Sequence, residues 1–325
     1  MIASALDRAL DFAVAPGYGA AGYCLRERSW GPRVPPRALF ERDVLVTGAS
    51  SGIGEAACGQ LTEAGARVHM LVRDRERGEA ARARVVSHVG GEVHLHRCDV
   101  SDLDSVGEFA VAFARTVPAL AGIVHNAGVL TQRRERSPQG IELTFATAVA
   151  GPFLMTRMLL SALGAGAPSR VVWVSSGGML TTRLDADDPQ LDRREFDGPR
   201  FYAHAKRAQV VLARLFAQRE GDSGAGFHSM HPGWADTPGL AGSLPGFHRL
   251  VRPILREPGQ GADTAVWLLA ADEADSHPGA LWHDRRPRAT HRLPGTRESA
   301  RDRERLWSAL EALTTPGDDP QERGT

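Results

Sequence analysis

The stretch Thr47-Gly48-Ala49-Ser50-Ser51-Gly52-Ile53-Gly54 stands between a β-branched run, Asp43–Thr47, and a helical pattern that opens at Ile53. A strand that turns into a helix through three glycines leaves few folds open, because the turn needs backbone freedom and the helix must seat close against the strand. The same turn gathers backbone N–H groups at a helix N-terminus, where the helix dipole favours negative charge. Thr47, Gly48, Ser50, Ser51, Gly52, Ile53 and Gly54 are therefore candidate contacts for the pyrophosphate of a dinucleotide.

From Asp43 onward, short β-branched runs alternate with longer helical segments, the pattern of βαβ units and a parallel sheet. Strands are expected at Asp43–Thr47, Arg67–Val72, Glu92–Cys98, Gly122–His125, Arg170–Ser175, Gly226–His231 and Ala280–His283. Several are apolar throughout, as befits strands covered by helices on both faces. Helices are expected at Ile53–Ala64, Arg75–His88, Leu103–Thr116, Gln139–Leu163, Phe201–Arg219 and Gly261–Ala271. The expected fold is one Rossmann-type α/β domain, a three-layer α/β/α sandwich around a seven-stranded parallel sheet, over residues 41–295. Residues 1–40 form an extension with a short amphipathic helix, Ile2–Val14, bearing Leu6, Leu10 and Ala13 on one stripe, followed by a Gly/Pro-rich stretch ending at Pro35-Pro36. Residues 296–325 form a C-terminal helix and a disordered tail.

The 39 basic and 39 acidic residues balance, so no net field favours phosphate backbones or an anionic membrane surface, and no nucleic-acid partner is expected. No apolar run is long enough for a spanning helix, and Asp7, Arg8 and Asp11 interrupt anything like a signal peptide. Three widely spaced cysteines, Cys24, Cys58 and Cys98, suit a reducing compartment. A cytoplasmic protein is the expectation, and a homo-oligomer stays open.

Nearly every basic residue is arginine. Lys206 is the single lysine, Asn126 the single asparagine, and Tyr202 one of three tyrosines. In Tyr202-Ala203-His204-Ala205-Lys206 the i and i+4 positions share a helix face, so phenol and ammonium project into one space. A cation there favours phenolate and would bring the tyrosine pKa down toward neutrality, which suits a general acid/base for carbonyl and alcohol chemistry. A hydroxyl to hold the substrate oxygen is offered by Ser175 and Ser176 at the end of the fifth strand, where open α/β sheets place ligands. About 20 residues beyond the glycines, the second strand ends in Val72-Arg73-Asp74, with Arg77 one turn later. Two guanidinium groups there suit a 2′-phosphate, so NADP(H) is favoured over NAD(H).

With Cys98-Asp99-Val100 after the third strand, His125-Asn126-Ala127-Gly128 after the fourth, Val172-Trp173-Val174-Ser175-Ser176 in the fifth and Pro232-Gly233 with Thr237 after the sixth, the sequence resembles the short-chain dehydrogenase/reductase family over about residues 41–285. The resemblance implies that Ser176, Tyr202 and Lys206 are catalytic. It implies that Asp99 and Val100 contact the adenine end of the cofactor and that Asn126, Ala127 and Gly128 brace the sheet beside it. It places Pro232, Gly233 and Thr237 along the nicotinamide half, with Tyr202 and Lys206 also touching cofactor. Asp99 could equally cap the helix after Ser101. A narrower resemblance, carried by Ser175–Leu180, Tyr202 and Met230–Gly239, is to a type within the family that shares the N-terminal extension and an Asp-Arg-Arg-Pro region near the end.

One position departs from the family pattern. Ala148-Val149-Ala150-Gly151 stands where an N-x-x-G element is usual, and an alanine lacks the amide of the asparagine that helps relay protons from the lysine. Two functions are therefore weighed: an NAD(P)-dependent oxidoreductase interconverting a lipophilic carbonyl and its alcohol, and an NADP-binding scaffold or redox-sensing protein without turnover. The lipophilic preference rests on Met179 and Leu180 in a long segment arching between Ser176 and Tyr202, and on Trp234, Leu240, Leu244, Phe247 and Leu250 opposite it. His94, His96 and Cys98 alternate along the third strand, but no fourth ligand is suggested and no metal site is expected.

Overall fold

The structure is a computed structural model that describes residues 2–34 and 38–315, with side chains from Asp7 onward. Pro35-Pro36, the Leu6 side chain and the tail after Thr315 expected to be disordered lie outside the described residues. Three short helices come first, α1 (Ile2–Phe12), α2 (Val14–Tyr18) and α3 (Ala20–Glu27). The sheet then alternates with helices: β1 (Asp43–Thr47), α4 (Gly52–Glu63), β2 (Arg67–Val72), α5 (Arg75–Val89), β3 (Val93–Arg97), α6 (Leu103–Thr116) and β4 (Gly122–His125). The second half runs α7 (Leu143–Phe145), α8 (Gly151–Met158), α9 (Leu160–Ala165), β5 (Ser169–Val174), α10 (Gly198–Arg219) and β6 (Ala225–Met230). It ends α11 (Pro238–Ser243), α12 (Pro245–Val251), α13 (Pro258–Leu268), β7 (Leu281–His283), β8 (Arg286–Arg288) and α14 (Ala300–Thr314).

The strand order is β3-β2-β1-β4-β5-β6-β7-β8, parallel throughout except for the β7–β8 pair. The sheet thus has eight strands, not the seven expected. The eighth arises because Asp284 and Arg285 both take positive φ (52° and 54°), closing a two-residue turn that sends Arg286–Arg288 back along β7. Order reverses between β1 and β4, and at such a switch point a crevice opens beyond the C-terminal ends of the strands.

Alternate residues of each inner strand feed opposite cores. Val44, Val46, Met70, Val172 and Val174 pack with α4, α5 and α13 through Ala57, Leu61, Val85 and Val266. Leu45, Leu71, Val171 and Trp173 pack with α6, α8 and α10 through Phe109, Phe153 and Phe216, and α14 adds Trp307. Both faces are dry, which is why these strands read as unbroken apolar runs.

Two further expectations give way. The single helix Gln139–Leu163 is instead α7, a π-helical turn at Ala146–Ala150, then α8 and α9. Pro152 has no N–H to give to the carbonyl of Ala148, so the α-ladder breaks there, and the Gly151 N–H bonds Ala146 O five residues back. The Gly/Pro-rich stretch after the first helix is helical in α2 and α3, where two buried arginine side chains, one of them from α3 itself, satisfy its backbone carbonyls. Arg256 donates to Gly17 O (3.0 Å) and Gly19 O (3.2 Å), and Arg26 to Gly17 O (2.8 Å).

Candidate functional site

The turn after β1 is built by close approach. Gly48 and Gly52 take φ of 64° and 60°. A Cβ on Gly48 would lie 2.8 Å from Ala127 Cα, and one on Gly54 only 2.3 Å from Gly48 O. The lone asparagine holds this turn: Asn126 Nδ2 donates to Thr47 O (3.1 Å) and Gly48 O (3.2 Å). Thr47 Oγ1 in return accepts from the N–H groups of Asn126 and Ala127, each at 3.0 Å. Ser50, Ser51 and Ile53 are half-buried at the mouth, and no side-chain bond from Ser51 caps α4, so that helix N-terminus faces the crevice. A pyrophosphate fits such a cradle.

Around it, Arg73 and Arg77 are exposed at the end of β2, and neither guanidinium joins an ion pair among the described residues. Asp74 is occupied otherwise, accepting from Arg77 N at 3.1 Å as the cap of α5. Asp99 does not cap α6; Asp102 does, while Asp99 Oδ1 accepts from Ser101 N and Oγ at 2.9 and 2.7 Å. Val100 is buried, and Gly151 packs so close that a Cβ there would reach 1.9 Å from Val100 O. Gly128 lies beside Lys206, whose Nζ would be 3.4 Å from a Cβ at that position. Thr237 caps α11 and meets the glycine turn from the far side, 3.1 Å from where a Gly52 Cβ would stand.

The three reactive side chains converge beyond β5. Ser176 caps a 3-10 turn, Gly177–Thr181, its Oγ accepting from Gly178 N at 3.4 Å, and its hydroxyl stands near enough to the Tyr202 phenol to favour the phenolate. Lys206 is buried, with Nζ 5.4 Å from the Tyr202 ring centroid and donating to Val174 O at 2.8 Å. Ser175 Oγ donates to Lys206 O at 2.8 Å, tying α10 to the strand end. The expected lowering of the tyrosine pKa is not what this state shows. Burial pushes the Tyr202 phenol up to about 12, opposed only by the nearby Ser176 hydroxyl. Burial also pushes Lys206 down to about 7, which weakens it as a standing cation near neutral pH.

Ala148 is fully buried among apolar side chains, and its carbonyl accepts from Gln209 Nε2 at 2.8 Å. His125, at the end of β4 before Asn126, is buried against Thr156 (2.9 Å) and held down to about 3 by burial. Among the proposed pocket residues, Met179 and Leu180 are buried against Tyr18, with Trp234 packed on the same cluster. Leu240 and Leu244 are half-buried, whereas Phe247 and Leu250 are exposed, so these two do not line an interior.

Sequence reasoning missed what the N-terminal helices do here. Tyr18 stands edge-on to His231 (centroids 4.5 Å) and to Trp234 (6.2 Å), and its carbonyl accepts from Trp234 N at 2.9 Å. With Ser176, Met179, His231 and Asp11 it encloses a cavity of about 10 Å³, room for one water. Gly233 N donates to His231 Nδ1 at 3.3 Å, so the proton sits on Nε2, which lines this cavity without a partner. Beneath lies a buried charge cluster: Arg256 reaches Asp284 at 2.6 and 2.9 Å, and Arg26 joins Asp284 (2.6 Å) to Asp7 (2.8 Å). Gly233, at φ 78°, clears the Arg256 side chain, which a Cβ would meet at 2.3 Å, and Pro232 O accepts from Arg256 at 3.4 Å. The only sequence trace of this cluster is the Asp284-Arg285-Arg286-Pro287 run.

Comparison with known proteins gives the family and the fold. Residues 42–184 match the family model described as short chain dehydrogenase. Dehydrogenase/reductase SDR family member 12 from Bos taurus is 38% identical over 304 residues, covering 91% of this chain and 93% of that protein. The narrower resemblance, with its N-terminal extension, is to this type. Retinol dehydrogenase 12 from Bos taurus is 30% identical over 273 residues, covering 83% and 85%. The crystal structure of an uncharacterized protein from Mycobacterium paratuberculosis superposes with a TM-score of 0.68 at 25% identity, covering 86% of this chain and 95% of that one.

Proposed function

Because the chain belongs to the short-chain dehydrogenase/reductase family, an oxidoreductase family acting on CH–OH and C=O groups, we propose that it reduces a lipophilic carbonyl, or oxidises the matching alcohol, with a preference for NADP(H). The observation that carries this reading is the convergence of the Ser176 hydroxyl, the Tyr202 phenol and the buried Lys206 Nζ at the C-terminal end of β5, next to the glycine cradle. The cradle from Thr47 to Gly54 holds the pyrophosphate, and the unpaired Arg73 and Arg77 receive a 2′-phosphate. When bound, the nicotinamide supplies or takes up the hydride at the substrate carbon.

In the reducing direction Ser176 Oγ–H donates to the carbonyl oxygen, and Tyr202 Oη–H gives that oxygen its proton as charge builds there. Lys206, freed from Val174 O, holds the cofactor ribose and replenishes the phenol. A phenol at about 12 is a competent acid but a poor base, so oxidation requires a cation to come near it when the site is loaded. The apolar substrate class draws support from Met179, Leu180 and Trp234 and from the retinol dehydrogenase relative. The second reading, a binding module without turnover, is not favoured, since the serine, tyrosine and lysine are all in place. Three cysteines, none in a disulfide, suit a cytoplasmic setting, and no helix among the described residues is long and apolar enough to cross a membrane.

Turnover of NADPH against a homologous series of alkyl ketones and aldehydes tests the proposal. Efficiency should rise with chain length, by up to about 0.8 kcal/mol per buried methylene, and Tyr202→Phe should abolish it. No turnover above the Tyr202→Phe background, or good turnover confined to small charged carbonyls, would overturn it.

A further inference from the structure

At the opposite end of the sheet, where β5 and β6 begin, a cavity of about 290 Å³ opens to solvent. Its Arg170 lies six positions before Ser176, about 20 Å at the rise of a strand, so it is remote from the reactive groups. Its wall mixes apolar side chains, Pro168, Ala217, Phe227, Ala274 and Pro278, with three polar ones, Arg170, His228 and Asp275.

Arg170 and His228 are each at least nine-tenths buried, and each has an N–H with no acceptor. Arg170 spends one terminal nitrogen on Ser169 O (2.9 Å) and the other on Asp275, which lies on the exposed rim, leaving Nε unpartnered. For His228 the tautomer follows from its neighbour. The Trp282 indole can only donate, and it donates to His228 Nδ1 at 3.3 Å, so the proton is on Nε2, which is likewise unpartnered. Gly226 lies between them: a Cβ there would be 3.1 Å from Arg170 Nε and 3.2 Å from His228 Nε2. The missing side chain lets two donors approach one spot. A buried donor left without an acceptor carries an uncompensated desolvation cost, and an acceptor from solution would relieve it.

We propose that this cavity is a second binding site, for a small organic carboxylate whose two oxygens accept from Arg170 Nε–H and His228 Nε2–H while its short hydrocarbon chain lies on Ala217, Phe227 and Pro278. One guanidinium, partly neutralised by Asp275, with one neutral imidazole matches a single negative charge. The apolar wall gives a carboxylate with a hydrocarbon chain an advantage that inorganic phosphate lacks.

The test is calorimetric titration of the full chain with hexanoate, with 1-hexanol and inorganic phosphate as probes of chain and charge alone. Hexanoate should bind at least about tenfold more tightly than either. It should shift the Trp282 indole N–H resonance, which reports on His228. Arg170→Gln should lose the binding. Ala217→Trp, which fills the cavity from α10 without touching a polar group, should lose it too while NADPH turnover is unchanged. Hexanol or phosphate binding as tightly as hexanoate would overturn the proposal. So would hexanoate binding that survives Ala217→Trp, or no saturable binding at all.

Discussion

The side-chain amide of Gln209 donates to the carbonyl of Ala148 at 2.8 Å, and it can do so because Pro152, four residues on, has no N–H to claim that oxygen. A sequence gap at Ala148 is therefore not an empty place in the fold. The carbonyl at the break in the helix is engaged by an amide one turn beyond Lys206 on α10. Replacing that amide by Gln209→Leu should leave a buried carbonyl unpaired and cost about 1–3 kcal/mol, read as a lower urea midpoint with an unchanged slope. An unchanged midpoint would mean that the bond contributes nothing. Ala148→Asn puts a larger polar group into a packed apolar site, and should lower stability by a similar amount.

Cofactor choice should follow the two exposed arginines at the end of β2. Arg73→Ala and Arg77→Ala should each weaken NADPH by about 1–3 kcal/mol while NADH affinity moves little, because only the phosphorylated ribose offers oxygens to pair. Equal losses for both cofactors, measured by fluorescence titration, would show that the arginines serve the fold or the pyrophosphate instead.

The buried charge cluster under the N-terminal helices should be strongly unforgiving. Asp284→Ala strands Arg256 and Arg26 without their shared carboxylate, and breaking a buried ion pair this way costs about 3–5 kcal/mol. Limited proteolysis should then cut within residues 12–30 well before the rest of the chain. Retained resistance there would show that the helices are held by other contacts.

Stability in the absence of cofactor should rise with pH in two windows. Burial holds His125 and His228 near 3 and His96 and His204 near 4, so between those values and about 6.5 the unfolded chain binds more protons than the folded one. Lys206 repeats the effect between about 7 and its ordinary 10.5, again with the unfolded chain holding the extra proton. Urea titrations across pH should show both rises, and Lys206→Met should flatten the upper one. A stability that falls between pH 7 and 9 would contradict the neutral, buried lysine. Above pH 10 the raised Tyr202 works the other way, because there the folded state keeps a proton that the unfolded state has lost.

What was legible in the sequence was what is local. Inner strands buried on both faces are runs of Val, Leu and Ile, and the glycine turn must be glycine wherever φ is positive or a Cβ would strike Ala127 or Gly48. Rare residues pointed well, since Asn126 and Lys206 each hold a position no commoner residue of this chain could fill. The eighth strand was hidden because Arg-Pro-Arg carries no strand pattern and its turn uses Asp and Arg where glycine or asparagine is usual. Arg26, Arg170 and Arg256 were hidden by abundance: among so many surface arginines, nothing local marks the few that are buried. Their partners lie far along the chain, and distance in sequence is what periodicity cannot see.

That distance also sets an order of events. Asp7 pairs with Arg288 and Arg26 with Asp284, contacts that span 281 and 258 positions. A chain emerging from a ribosome makes the N-terminal helices long before it makes the hairpin that receives them. Until β7 and β8 exist, Tyr18 has no His283 to meet edge-on, and the small cavity beside Ser176 lacks its far wall. Long-range closures of this kind are slow to form, so the return of the earliest segment is a late step of maturation, and the Tyr18 wall beside Ser176 is in place only once β7 and β8 have been made.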